Sequence, residues 1–224
     1  MELNEAVRSR ISVRGYKTDP VSKEILTEII ETSLHAPSAM NVQPWEITIL
    51  AGAPLDELRN ANIEMLSSGT IPVTDFGHPK PYEGVHKERQ RALGFELYRL
   101  LGIAREDKEK RMEWTMKGFR GFDAPAMIIL SADESLEARL ASSDIGGLIQ
   151  TICLVALDYG LGTCINGQGI LFPDTLRKIT GVPESQKIYI CISIGYPDWE
   201  HPANKLVSDR ESVETVTRWV GFDQ

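Results

Sequence analysis

Cysteine and histidine are scarce in this sequence, and those present are scattered. The 224 residues include three cysteines, Cys153, Cys164 and Cys191, with no CxxC pair. The four histidines form no cluster in the sequence either: His35, His78, His86 and His201. Structural zinc sites and disulfide frameworks require more closely grouped residues of these types. We therefore expect no metal site, no disulfide, and a reducing compartment, the cytoplasm.

Long apolar runs and an excess of basic residues are also missing. No run approaches the ~20 apolar residues that span a bilayer. The N-terminal MELNEAVRSR lacks the apolar region of a secretory signal. The 24 Lys and Arg residues against 32 Asp and Glu give a net charge of −8. An acidic chain of this kind predicts neither a nucleic acid nor an anionic membrane as partner.

One segment, RSRISVRGY, departs from this acidic character. Arg8, Arg10 and Arg14 occur there without any carboxylate, and Lys17 follows just beyond. Spaced arginines commonly bind phosphate, although a solvated helix end explains the segment equally well when it is taken alone. On a helix, Arg10 and Arg14 would share a face while Arg8 pointed elsewhere.

Helical and strand patterns alternate along the chain. Residues 23–34 have apolar positions with helical spacing, and strands are predicted in WEITILAG, APAMIILSA and KIYICISIGYP. The stretch from Asp144 to about Tyr159 is apolar nearly all round, which predicts a helix buried on most sides and ending at Gly160 or Gly162. We predict one α+β domain over residues 1–224, with a C-terminal arm from about residue 202.

Residues 69–83 contain three prolines and two glycines, which predicts an irregular loop. Two charged helical segments follow it. We predict that the insertion at about 69–122 forms a lid over a site. Its aromatic residues would either contact substrate or pack the helices together; the candidates are Tyr82, Trp114, Phe119 and Phe122.

Three segments, read together, resemble the FMN-dependent nitroreductase family. RISVRGY has the family's Arg-x-Ser-x-Arg spacing, APSAMNVQPW (36–45) matches its Ala-Pro-Ser-x-x-Asn-x-Gln-Pro-Trp motif, and GLGTCINGQG (160–169) follows a predicted buried helix. Arg210, shortly before VETVTRW, is a weaker match. Residues 80–125 are similar to the branch that includes nitrobenzoate reductases.

The resemblance implies a three-layer fold, in which helices flank a central mixed, mostly antiparallel sheet, and an intertwined homodimer. It implies FMN as cofactor and NAD(P)H as transient electron donor. Electrons would pass by a ping-pong hydride mechanism to a nitroaromatic, quinone or similar small-molecule acceptor.

The resemblance also assigns roles to residues. Arg10, Ser12 and Arg210 would bind the FMN phosphate and ribityl chain, and Arg14 would lie at flavin N1 and the C2 carbonyl. A backbone N–H of Gly167 or Gln168 would bond flavin N5. The resemblance implies other cofactor contacts at Cys164 and Asn166. It also implies that Pro37, Ser38 and Asn41 contact the cofactor across the dimer axis. The alternative role of these three residues is to close their own loop. Ile11 and Ser208 stand where many members have a further basic residue, which removes two possible phosphate contacts.

Two alternative functions stay open at this stage. One is a reductive dehalogenase of the same fold. Its signature, a lid Glu four residues before a Tyr, is absent, because His78 and Gly94 precede Tyr82 and Tyr98 at that distance. The other is a non-catalytic flavin-binding redox protein, whose binding motifs would look the same.

Overall fold

The computed structural model describes residues 1–222, and a four-stranded sheet lies at its centre. The strands are β1 (Glu46–Ala51), β2 (Ala126–Asp133), β3 (Gly162–Asn166) and β4 (Gln186–Gly195). Their spatial order is β1-β2-β4-β3, and each neighbouring pair is antiparallel. The only parallel pairing among the described residues is an isolated bridge between Ser12 and Thr163.

Helices cover both faces of this sheet. The α-helices are α1 (Leu3–Ser9), α2 (Lys23–Ser33), α3 (Gly52–Ser67), α4 (Gly84–Leu100), α5 (Lys108–Phe119), α6 (Ala138–Asp158), α7 (Pro173–Thr180) and α8 (Val213–Val216).

Alternate residues of β2 point into two separate cores, as the period of a strand requires. Ile128 and Leu130 belong to the core under α2 and α6, and Met127 and Ile129 belong to the core under α3 and α7. The predicted three-layer α+β fold is therefore confirmed. Its sheet is antiparallel, and the one parallel element is the bridge at Ser12.

Helix α6 differs from its sequence prediction in start and in burial. It begins at Ala138, six residues before Asp144, and ends at Asp158, before Gly160 with φ +68°. Its buried residues, such as Ile145, Leu148 and Ile152, lie on one side, whereas the sequence predicted burial on most sides. By length and composition alone α6 is also apolar enough to cross a membrane, a test that buried core helices pass as well.

The insertion is packed unevenly on the body. Helix α4 has no buried residue, whereas α5 buries Gly118 and Phe119 at its end. The C-terminal residues 202–206 pack on the body through Ala203, Asn204 and Leu206, and residues 207–222 are exposed. The single-domain boundaries, the lid role and the arm stay predictions.

Candidate active site

The segment 10–16 runs beside β3 as an extended chain, not as a helix. Helix α1 ends at Ser9, Arg10 has φ −58° and ψ 120°, and the backbone N–H of Val13 donates to the Thr163 carbonyl at 2.9 Å. Arg10 and Arg14 therefore do not share a helical face, because the chain leaves the helix before Arg10. Because alternate residues of an extended chain share a side, the Arg-x-Ser-x-Arg spacing still directs these three side chains the same way.

Val13 explains why the segment lies here. Its side chain is 2% exposed. A Cβ built on Gly162 would lie only 2.4 Å from Val13 Cγ2, so only glycine at the start of β3 allows this close approach. The contact fixes the register between the arginine segment and the strand that leads to Gly167.

Arg10 and Arg8 lie in different environments. Arg8 is exposed on α1, whereas Arg10 is half-buried and its Nη1 is fully buried without a hydrogen-bond partner among residues 1–222. Leaving a buried guanidinium N–H unpaired is costly. An anion beside Arg10 would remove that cost, and a phosphate is the anion that an arginine fork fits best.

Arg14 is half-buried and is held mainly through its backbone. Its N–H donates to Asn204 Oδ1 at 2.7 Å, and its Nη1 donates to the Ser12 carbonyl at 3.3 Å. Asn204 was not identified from the sequence, because a lone Asn in HPANK carries no motif.

Cys164 lies on β3 beside this arginine segment and is buried. Burial raises the pKa of its thiol to about 11, although Arg14, Ser12 and Arg10 act in the opposite direction. Burial also raises the pKa of Cys153 and Cys191. All three thiols therefore stay protonated near neutral pH, and their reactivity as thiolates is suppressed.

The turn after β3 distinguishes the two backbone donors suggested by the sequence. Residues 162–166 form strand β3, and the turn begins at Gly167. The Gln168 N–H is already bonded to Asn166 Oδ1 at 2.8 Å. The exposed Gly167 N–H has no acceptor within the described part of the chain. Gly167 is therefore the free donor for a ligand.

Asn166 forms three side-chain hydrogen bonds within the protein. Its Oδ1 accepts from the Gln168 and Gly169 N–H groups, and its Nδ2 donates to the Gly118 carbonyl at 2.7 Å. It thereby ties the end of α5 to the Gly167 turn. A cofactor contact of Asn166 stays a prediction, as does that of Gln168.

The loop 37–43 is strained and solvent-exposed. Met40, Asn41 and Gln43 have positive φ angles of 48°, 58° and 48°, and Met40 is 98% exposed. Ser38 Oγ accepts from the Gln43 N–H at 2.9 Å, which is the loop-closing role that was left open. Strain at several non-glycine residues is often kept for function.

One chain does not bring this loop to Arg10. The Ala39 N–H bonds Asp144 near the start of α6, whereas Arg10 and Thr163 lie beside Cys153. The nine helical steps from Asp144 to Cys153 span about 13 Å. Contacts of Pro37, Ser38 and Asn41 with a cofactor therefore stay a prediction.

Arg210 is also not brought to Arg10. Its Nη1 donates to Ser208 Oγ at 2.9 Å and to two carbonyls of its own segment. Together with Tyr82 it lines a cavity of about 860 Å³ against α4. No contact joins it to Arg10 or Ser12 within the described residues, and its phosphate role stays a prediction.

The aromatic residues of the insertion fall into two groups. Phe119 is 4% exposed and stacks on Phe172 at 5.8 Å between ring centroids, and Phe122 is 9% exposed against Trp114 at 5.7 Å. Tyr82 is 59% exposed. The burial favours helix packing for Phe119 and Phe122, and leaves Tyr82 as the accessible candidate for substrate contact.

Comparison with known proteins identifies the class of protein to which this fold and site belong. The family model described as the nitroreductase family matches residues 7–196, so the chain belongs to that family, as its motifs predicted.

Individual relatives match over nearly the full chain. The chain is 31% identical to nitroreductase NfnB of Mycolicibacterium smegmatis, covering 95% of this chain and 90% of that protein. It is 30% identical to a 4-nitrobenzoate reductase of Pseudomonas putida, covering 100% and 97%. The crystal structure of an FMN and NADPH-dependent NfnB from a Sphigopyxis strain is similar, with a TM-score of 0.93, 29% identity, and coverage of 99% and 100%.

Proposed function

We propose that this protein is an FMN-dependent oxidoreductase that passes electrons from NAD(P)H to a nitroaromatic, quinone or similar acceptor. The observation that carries the proposal is the buried, unpaired Nη1 of Arg10, on the same extended segment as Ser12 and Arg14. A phosphate-bearing cofactor fits this donor set. The names of the relatives, which include FMN and NADPH-dependent nitroreductases, support FMN as that cofactor.

The chain's own residues would bind and polarise the cofactor. Arg10 and Ser12 would hold the phosphate and ribityl oxygens, and the Gly167 N–H would donate to N5. FMN, when bound, supplies the acceptance and donation of hydride. Arg14 would stabilise the negative charge that reduction places on the pyrimidine edge. No thiolate takes part, because burial keeps the thiols protonated.

We also propose a homodimer with two flavin sites at its interface. Three exposed apolar features support it: Met40 and Val42 in the strained loop, the uncovered side of α6, and the arm 207–222 with Val216, Trp219 and Phe222. An intertwined interface should bury more than ~2,000 Å² in total. Sedimentation of the flavin-loaded protein at several concentrations tests this, and a monomer with full flavin occupancy would refute it.

Flavin extraction followed by a turnover assay tests the function. The purified protein should release FMN rather than FAD, and should oxidise NADPH or NADH in the presence of menadione or 4-nitrobenzoate. Bound FMN without turnover of either acceptor would instead support a flavin-binding redox protein. Release of iodide from a halotyrosine would support the dehalogenase alternative. Assays that compare the two nucleotides would establish the donor preference.

A further inference from the structure

Asn204 holds the backbone on which Arg14 depends. Its side chain is buried, and it uses its whole hydrogen-bonding capacity on three residues. Oδ1 accepts from the N–H groups of Arg14 at 2.7 Å and Gly15 at 3.2 Å, and Nδ2 donates to the carbonyls of Gly15 and Asp198, both at 2.7 Å. An asparagine amide with four such bonds has no capacity left for solvent or ligand.

The side chain of His201 packs against the same backbone from another side. A Cβ built on Gly15 would lie 2.2 Å from His201 Cγ, so the imidazole lies directly over the glycine. Nδ1 of His201 accepts from the Ala203 N–H at 3.2 Å, and its ring lies 6.3 Å from the ring of Trp114 on α5. The backbone of residues 14 and 15 is thus held between residues 198–206 and β3.

We propose that Asn204 is a positioning residue for Arg14: it fixes the Arg14–Gly15 backbone so that the guanidinium is held at the pyrimidine edge of the flavin. This inference rests on the proposed function, because it requires a flavin at the site. Asn204 itself does not contact the cofactor. Its effect reaches the cofactor through the position of the positive charge on Arg14.

A positioning role and a purely structural role of Asn204 differ in their effect on the relative affinity of the protein for reduced and oxidised flavin. A cation held at the pyrimidine edge favours the reduced, anionic flavin over the oxidised, neutral one. A merely structural asparagine would change the amount of folded protein and leave this ratio unchanged. The ratio is obtained from the midpoint potential of bound flavin, where a tenfold change corresponds to ~30 mV for two electrons.

The experiment compares Asn204→Ala with Ser131→Ala in the flavin-loaded protein. Ser131 is the control, because it is also a buried polar residue and its hydroxyl donates to Gln186 Oε1 at 2.7 Å, away from both Arg14 and the Gly167 turn. We expect the Asn204→Ala variant to prefer reduced flavin about tenfold less than the wild type does. This loss corresponds to a midpoint potential of bound flavin that is lower by ~30 mV. Ser131→Ala should change the ratio less than twofold. Asn204→Ser, a milder change, should shift it in the same direction if the alanine variant folds poorly.

The outcomes distinguish this inference from the proposed function. A wild-type protein that binds no FMN, even after reconstitution, refutes the proposed function and this inference with it. Wild-type and variant proteins that bind FMN with equal potentials refute only the positioning role. An equal shift in Ser131→Ala also overturns it, because the effect would then follow from loss of stability.

A second, independent observation concerns charge in the insertion. Residues 84–120 contain ten Lys and Arg against six Asp and Glu, in a chain whose net charge is −8. Four of the arginines line one cavity of about 830 Å³ between α4 and α5: Arg91, Arg99, Arg105 and Arg111. Gathering like charges around one cavity is unfavourable unless an anion compensates for them.

Only part of this positive charge is compensated within the chain. Arg99 pairs with Glu96 at 2.6 Å, and Arg111 lies over the Tyr98 ring at 4.8 Å. Arg91 and Arg105 form no ion pair and donate no side-chain hydrogen bond among residues 1–222. Phe95, which is 66% exposed, and Tyr98 supply aromatic walls to the same cavity.

We infer that this cavity binds a small aromatic carboxylate. The guanidinium groups would grip the carboxylate, and the rings of Phe95 and Tyr98 would contact the aromatic body. The inference concerns binding at this cavity and does not rest on the proposed function. The binding test below does not require turnover and so can fail independently of that function.

Calorimetric titration of the flavin-loaded protein with benzoate and with neutral benzamide tests the inference. Benzoate should bind at least tenfold more tightly. Arg91→Gln with Arg105→Gln should remove that difference, whereas Arg139→Gln, on an exposed pair at the start of α6, should not. Equal binding of the two probes would overturn the inference. Binding of adenosine 2′-phosphate but not of benzoate would also overturn the inference, because the cavity would then be a site for a nucleotide phosphate.

Discussion

A buried ion pair at the base of the insertion provides a quantitative test of the packing. Asp75, in the loop 69–83, forms a two-pronged bond with Arg177 on α7, with distances of 3.0 and 2.7 Å. Its Oδ2 also accepts from the Ile188 N–H at 2.7 Å. The two side chains are only 9% and 7% exposed, so solvent screens the pair weakly.

Replacing Asp75 with Ala should destabilise the protein by about 3 kcal/mol. Removing one partner of a buried pair costs about 3–5 kcal/mol, because the remaining charge is left buried and uncompensated. We take the low end, because Glu184 lies 3.6 Å from Arg177 Nε and partly compensates for it. For a chain of this length, about 2–4 °C of melting temperature per kcal/mol predicts a fall of roughly 6–12 °C.

Thermal unfolding at one protein concentration and a saturating flavin concentration measures the effect. The control is Arg139→Ala, because its pair with Glu137 is 77% and 55% exposed and should contribute less than about 1 kcal/mol. Adding Arg177→Met to Asp75→Ala removes the isolated charge and should recover part of the loss. If Asp75→Ala melts within ~2 °C of the Arg139 control, the pair does not hold the insertion in the way described.

Three further predictions concern the site and its surroundings. Arg14→Met should lower the potential of bound flavin by tens of millivolts, since about 1–3 kcal/mol of charge stabilisation is lost; Arg8→Met, at an exposed position, should leave it unchanged in the same redox titration. Burial and Lys117 lower the pKa of His201, so the unfolded state takes up a proton before the folded state as pH falls below ~6.5. Stability should therefore fall from pH 7.5 to 5.5 by more in wild type than in His201→Gln, as melting temperatures would record. Phe119→Ala should lower the free energy of unfolding by about 3–5 kcal/mol with little change in acceptor preference. Tyr82→Ala should change acceptor preference with little loss of stability. Melting curves and steady-state assays with two acceptors measure both effects, and the opposite pattern would contradict the prediction.

The strands and most helices could be predicted from the sequence because their signals are local. The apolar runs that became β2 and β4 predicted strands. Helix α7 was missed, although Pro173 at its start and Gly181 with φ +74° just after its end are recognisable signals. The predicted burial of α6 on most sides was wrong for the single chain. An apolar side that is left free for a partner has the same composition as one that the chain itself covers, so composition alone does not distinguish them.

The arrangement within the candidate site depended on contacts between distant parts of the chain. The motif predicted which residues form the site, but it did not decide the backbone conformation. A helical and an extended segment would both place Arg10 and Arg14 on a common side. The contact between Val13 and Gly162, about 150 residues apart, decides in favour of the extended form. Asn204 shows the same limit, because its role appears only once the fold brings it to Arg14 and Gly15.

The single chain carries several local costs that one ligand and one partner would remove together. Arg10 Nη1 is buried without a partner, and the loop 37–43 holds three non-glycine residues at positive φ. Each such feature costs of order 1–3 kcal/mol, which a marginally stable protein keeps only when something compensates for it. A phosphate at Arg10 would compensate for the first, and contacts of the loop with a second copy would compensate for the strain. The features that look least favourable in the isolated chain are therefore the ones that support a flavin site shared between two subunits.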